Sequence, residues 1–185
     1  MNKLRVADLT IVTSNEDKIV EINEILGTDH KATNVDIPEI QSLNLDEVIT
    51  HKAKDAYNRI KKPVLVEDIS LEIEALNGLP GTFVKFFLER LGTEGTVRLV
   101  GKSKTDTTVT AAVAIYDGQK VDIFKGKVKG TLSKKNRGSG GFGFDKVFIP
   151  EGYTQTYAQM STILKNTISH RAKVLRKVKR FLTKN

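Results

Sequence analysis

Residues 9–13 form a short apolar run that gives way at once to the polar turn Ser14-Asn15-Glu16, after which Ile19, Ile22, Ile25 and Leu26 recur at helical spacing. This pattern predicts a buried strand, a tight turn and an amphipathic helix. Asn44 can cap a second helix, with Leu45, Val48, Ile49, Ala53, Ala56 and Ile60 on its buried face. After Pro63, Val64-Leu65-Val66 reads as a fully apolar strand whose far end carries Glu67 and Asp68, and residues 71–75 alternate like a second, half-buried strand ending in the turn Asn77-Gly78-Leu79-Pro80-Gly81. Two short helices are expected over residues 83–91 and 93–100. Strands are expected over 107–116, 120–125 and 127–132, with Asp117-Gly118 as a hairpin turn, and a last helix over 169–182 buries Ala172, Leu175, Val178 and Leu182. With no repeat, low-complexity tract or linker, the pattern predicts one two-lobed α/β domain, its helices flanking an extended sheet.

Composition narrows the class. At 185 residues the chain is long enough for one domain with a proper core, and 39% hydrophobic with 28% charged residues is ordinary for a globular protein. The absence of cysteine removes disulfides and thiolate chemistry and agrees with a reducing cytoplasm. No run reaches membrane-spanning length and the N-terminus lacks the apolar core of a signal peptide, so a cytoplasmic protein without a membrane partner is expected. The net charge of +8 is confined to one place: from Lys165 onward there are eight Lys or Arg and no acid, leaving 22 basic and 22 acidic residues elsewhere. The charge therefore reports one helix rather than a general basic surface, and a nucleic-acid partner is not expected.

Four places carry candidate chemistry. At Thr13-Ser14-Asn15-Glu16-Asp17-Lys18, a strand, a polar turn and a helix N-terminus aim free N–H groups and the helix dipole at one point, which suits an anion; an ordinary N-cap beside a solvated lysine explains the same residues. Glu67 and Asp68 end a buried strand where α/β proteins place ligands, and hard carboxylate oxygens suit Mg²⁺; neighbours on a regular strand point to opposite faces, so the strand must break near Asp68 if both are ligands. Lys85 can reach a phosphate or stand exposed on an aromatic-rich helix. The stretch from Gly138 to Lys173 sets Phe142, Gly143 and Phe144 in a glycine-rich loop ending on Asp145, then brings Lys165, Ser169, His170 and Arg171 to the start of a basic helix. Flat apolar faces beside fixed donors suit a purine base on a phosphate chain, whereas a histidine alone is more often a packing residue.

Taken together these segments resemble the inosine triphosphate pyrophosphatase family, hydrolases of non-standard purine nucleoside triphosphates. The resemblance runs nearly end to end and rests on T-x-N-x-x-K at 13–18, V-E-D at 66–68, E-A-L-N-G-L-P-G at 74–81 with Lys85 following, F-G-F-D at 142–145, and K-N-x-x-S-H-R at 165–171. The V-E-D form is more similar to archaeal and eukaryotic members than to the bacterial D-D-S-G form. The resemblance implies the family's Maf/Ham-type fold with a mixed, twisted sheet, a homodimer, and Mg²⁺-dependent release of pyrophosphate from ITP, dITP and XTP. It further implies that Thr13, Ser14, Asn15, Lys18, Ile69 and Lys85 line the triphosphate and that Asp68 is the general base, with Glu67 and Glu39 completing the metal environment. Phe142, Gly143, Phe144, Asp145, Lys165, His170 and Arg171 would form the base side.

Three positions depart from the family pattern: Ser14 stands for a glycine, Ile69 for a hydroxyl residue (Ser70 is the nearest substitute), and Lys146 for a proline. Besides a degenerate family member that binds nucleotide without turning it over, which Ser14 and Ile69 leave open, two other readings stay open at this point. One is a Maf-like nucleotide pyrophosphatase of different base preference, and the other is a nucleic-acid-binding module using the basic helix.

Overall fold

The computed structural model describes residues 4–184. The elements run β1 (Thr10–Val12), α1 (Glu16–Leu26), α2 (Leu45–Ile60), β2 (Val64–Ile73), β3 (Pro80–Gly81), α3 (Val84–Arg98), β4 (Asp106–Tyr116), β5 (Val121–Leu132), β6 (Phe148–Pro150), α4 (Thr162–Ile168) and α5 (His170–Lys184). The strands form a mixed sheet in the order β1-β2-β4-β5-β6, with β3 paired to β2. β1 runs parallel to β2 with Ile11 opposite Leu65, while β6 is antiparallel to β5 with Ile149 opposite Thr131.

The chain clusters into two compact units. The first takes the chain through Asp68, Ala111–Gly126, and the chain from Arg171 onward; the second takes Ile69–Thr110 and Lys127–His170. In the first unit β2 has helices on both faces. Leu65 packs with Ile22 of α1 and Leu175 and Val178 of α5, whereas Val64 and Val66 pack with Ile49, Ala53 and Ala56 of α2. The core of the second unit gathers Leu71 and Ile73 of β2, Val97 of α3, Val109 of β4, Phe148 of β6 and Tyr157.

Asn44 caps α2 as expected, accepting from the Asp46 N–H, and Asn15 caps α1 by accepting from the Lys18 N–H, each filling one of the open donors at a helix start. Four boundaries differ from the sequence expectation. Residues 64–73 form one continuous strand, so Glu67 and Asp68 lie inside it rather than at its end. Residues 121–132 likewise form a single strand. The two expected helices around residue 92 are one element broken at Gly92 (φ 67°, ψ 178°), a conformation open to glycine alone. The short α4 precedes the last helix, and Ser169, in extended conformation, separates α4 from α5.

β5 and β6 approach so closely at Gly130 that a Cβ there would collide with the Ile149 carbonyl oxygen and the Phe148 ring. Gly130→Ala should therefore cost about 1–3 kcal/mol, read as a lower midpoint in urea at an unchanged m-value.

Candidate active site

In the first unit, the turn after β1 organises itself. The Asn15 N–H donates to Thr13 Oγ1 (3.1 Å), and the Lys18 N–H to Asn15 Oδ1 (3.0 Å). Ser14 is exposed, and the only non-glycine residues with positive φ among those described are Lys61 and Asn77, so serine fits the turn without backbone strain. Lys18 extends from the first helical turn to within 3.5 Å of Glu67 Oε2.

Strand alternation sends the two adjacent acids to opposite faces. Glu67 follows Leu65 onto the face covered by α1 and α5, and Asp68 follows Val66 onto the face covered by α2. Glu67, 5% exposed, accepts a bidentate pair from Arg171, Nε to Oε1 at 2.8 Å and Nη2 to Oε2 at 3.1 Å. The other arm of Arg171 donates to Glu21 Oε2. Burial alone would push the Glu67 carboxyl up, but Arg171 and Lys18 outweigh it and hold its pKa below the ordinary value. Arg171 is 1% exposed, and although burial opposes its charge, Glu67 and Glu21 raise its pKa further above that of a free guanidinium. Each of its three side-chain nitrogens thus donates to one of two carboxylates.

On the opposite face, Lys52 of α2 donates to Asp68 Oδ2 at 2.9 Å and to Glu39 Oε1 at 3.5 Å. Burial lowers the Lys52 pKa, the two carboxylates raise it, and the net direction is upward. Among the described residues no three His, Cys, Asp or Glu side chains converge as a ready-made metal cage. Asp68 and Glu39 nevertheless converge on a single cation, the Lys52 ammonium. Two carboxylates completed by substrate oxygens and water suit Mg²⁺, which seldom uses an all-protein cage. Glu67 is placed differently, with both oxygens already bonded to Arg171.

In the second unit the glycine-rich loop folds over Asp145. Gly141 (φ 66°) leaves no room for a Cβ against the Asp145 carboxylate, which accepts from the Phe142 N–H at 2.9 Å and from Lys165 Nζ. Lys165 is 4% exposed, and its ammonium lies 4.8 Å from the centre of the half-buried Phe142 ring. Phe144 is buried against Phe148 and His170, with ring centres at 6.1 and 5.8 Å. Of the two loop aromatics, Phe142 is therefore the one with an open edge. Gly143 is exposed, Lys85 stands exposed in the first turn of α3, and Ile69 is part of the apolar core. The Ser70 hydroxyl donates to Glu72.

Three residues of these two clusters, Lys52 and Glu21 in the first unit and Tyr157 in the second, are not singled out by the sequence pattern. Lys52 sits within the apolar stripe of α2, four residues after Val48 and four before Ala56, and that misplaced charge is a usable signal. Glu21 shares a helical stripe with Lys18 and Ile25, a fainter one. Tyr157, buried with its ring 6.0 Å from that of His170 and 5.8 Å from the Lys165 ammonium, has no distinguishing pattern.

The architecture is that of an α/β protein built on a mixed sheet, with a helix-start anion turn, paired carboxylates and cations, and a lysine-capped aromatic loop. A model of the Ham1 family matches residues 9–181, and the chain belongs to that family. It is 39% identical over 181 residues to the dITP/XTP pyrophosphatase of Thermococcus kodakarensis, spanning 96% of this chain and 98% of that protein. It is 43% identical over 172 residues to inosine triphosphate pyrophosphatase 2 of Trypanosoma cruzi, covering 90% of this chain and 88% of that one. The structure of a HAM1 protein from Coxiella burnetii superposes with a TM-score of 0.80 at 26% identity, covering 96% of this chain and all of the other. No helix among the described residues is long and apolar enough to cross a membrane.

The Glu67–Arg171 pair carries a pH signature. Because the folded pKa of Glu67 lies below its ordinary 4.5, its stabilisation is complete above that pH and is lost as the pH falls through the depressed value. Glu67→Ala should cost about 3–5 kcal/mol at pH 7, since it leaves Arg171 under-compensated. Thermal unfolding from pH 7 to 3 should show a shallower acid loss in this variant than in the wild type. An equally steep loss in both would place the acid-labile group elsewhere.

Proposed function

We propose that this chain hydrolyses the non-standard purine nucleoside triphosphates ITP, dITP and XTP to the monophosphate and pyrophosphate. The observation that carries the reading is the division of labour on β2. Glu67 is locked by Arg171, while its neighbour Asp68 is presented on the other face beside Lys52 and Glu39. The pyrophosphatase relatives, similar over nearly the whole chain, support it.

In this reading the first unit handles phosphate and metal. The turn of Thr13, Ser14, Asn15 and Lys18 receives the phosphates with backbone N–H groups, the helix dipole and one ammonium. Asp68 and Glu39 would hold Mg²⁺, which when bound supplies a water of lowered pKa and offsets phosphate charge. Asp68 accepts the proton of the attacking water, at the carboxylate whose Oδ2 is already oriented by Lys52. Glu67 orients the wall rather than the ion, and Lys52 adds a cation for the phosphates.

The second unit handles the base. Phe142 offers a ring face, Asp145 fixes the loop, and Lys165, His170 and loop N–H groups supply donors. Inosine and xanthosine carry a keto oxygen at purine C6 that accepts from such donors. Adenine carries an amino group there, and pairing donor with donor leaves buried groups unsatisfied, a large penalty. Arg171 contributes by fixing Glu67. The family resemblance supports a homodimer, and the absence of cysteine supports a reducing cytoplasmic setting.

Pyrophosphate release should be measured on ITP, XTP, dITP, ATP and GTP with and without Mg²⁺. ITP, dITP and XTP should be turned over well ahead of ATP, and only with the metal. Asp68→Asn should lower kcat by about 10²–10⁴ while leaving the fold intact by circular dichroism. Equal rates on ATP and ITP would overturn the base assignment, and release without Mg²⁺ the metal assignment.

A further inference from the structure

Lys52 is an ammonium in the middle of an apolar helix stripe, and its side chain is only 17% exposed. Burying a lysine stem and head this far is unfavourable unless the charge is matched, and here it is matched twice, by Asp68 Oδ2 at 2.9 Å and Glu39 Oε1 at 3.5 Å. The same two carboxylates would hold Mg²⁺ in the proposed function, and the role of Lys52 rests on that reading. We propose that Lys52 is a resident counter-ion that holds Asp68 and Glu39 in the free protein, competes with the divalent cation for them, and yields them when nucleotide arrives, so that metal binding depends on substrate.

The charges argue for this. The half-buried carboxylate of Asp68 and the exposed one of Glu39 repel each other, and the one ammonium that meets both removes half of their charge without the dehydration that Mg²⁺ resists. An incoming divalent ion then meets a cluster worth one net negative charge instead of two. A triphosphate changes the balance. Its oxyanions attract the ammonium, whose four-carbon stem and three rotatable donors let it change partner without moving α2. The same oxyanions supply the ligands that two carboxylates leave wanting. Metal and nucleotide therefore favour each other, and the linkage is reciprocal.

The test is a titration of the full chain with Mn²⁺, free ion being read by electron paramagnetic resonance, with and without a non-hydrolysable α,β-imido analogue of ITP. The wild type should bind Mn²⁺ weakly alone and much more tightly with the analogue. Lys52→Met should bind Mn²⁺ about tenfold or more tightly in the absence of nucleotide, since a like charge has been removed, and should lose most of the analogue's effect. Lys52→Arg, which keeps the charge, should stay close to the wild type. Thermal unfolding gives a second readout: Lys52→Met should melt lower than the wild type without metal and recover when Mn²⁺ is added. Unchanged or weaker Mn²⁺ binding by Lys52→Met overturns the counter-ion role. Asp68→Asn separates that result from a failure of the metal reading. Binding abolished in Asp68→Asn but unchanged in Lys52→Met sinks only the role of Lys52, whereas full binding in Asp68→Asn removes Asp68 as a ligand and the proposal with it.

Discussion

A guanidinium on a residue only 1% exposed is costly to bury unless it is matched, and the buried carboxylates around Arg171 match it. Arg171 opens α5, Glu67 lies in β2 and Glu21 in α1, so one charge cluster ties three elements of the first unit together. A cluster of this kind is weak as a source of net stability, because desolvation cancels much of the attraction. Its value lies in orientation. A bidentate fork accepts a carboxylate in one plane and one direction, so β2 is fixed in rotation as well as position.

That rotation decides where the chemistry is presented. On a strand the faces alternate, so fixing Glu67 toward α1 and α5 fixes Asp68 toward α2, where Lys52 and Glu39 meet it. The direction of Asp68 is thus set together with that of a carboxylate held on the other face of the sheet. Apolar packing repeats the instruction: Leu65 belongs to one core cluster, and Val64 and Val66 to the other. A one-residue slip of β2 would turn Asp68 toward α1 and α5 and Glu67 toward α2, so the register of the strand assigns each acid its face.

The same alternation explains what could be read from the sequence. α1 and α2 are legible with their caps, because Asn15, Asn44 and the apolar stripes state the helix start and the buried face locally. β2 reads as too short because two adjacent acids look like a strand end. They continue the strand only because Arg171, 104 residues further along, neutralises one of them, and no local pattern carries that fact. Phe142 and Phe144 look equivalent two residues apart. The positive φ of Gly141 and Gly143 turns the loop so that one ring keeps an open edge and the other joins the core. Lys52 is visible as a charge in an apolar stripe, but its partners are not, since Glu39 lies in an irregular segment whose path depends on tertiary packing.

Charge balance within each of the two charged clusters separates them from the rest of this basic chain. In the first unit Lys18, Lys52 and Arg171 stand against Glu21, Glu39, Glu67 and Asp68, one negative charge in excess. In the second unit Lys165 is matched by Asp145. The free protein therefore holds its reactive groups close to neutral, each charge satisfied by another. In the proposed function a divalent cation and a triphosphate would together add two positive and about four negative charges, a change that lysines on flexible stems could absorb by exchanging partners but that Arg171, forked and buried, could not. The division between movable and fixed cations follows the division between substrate handling and scaffold. The exposed lysines and arginines of α5 beyond Arg171 lie outside both balances, which is why the net charge of +8 says so little about what this protein binds.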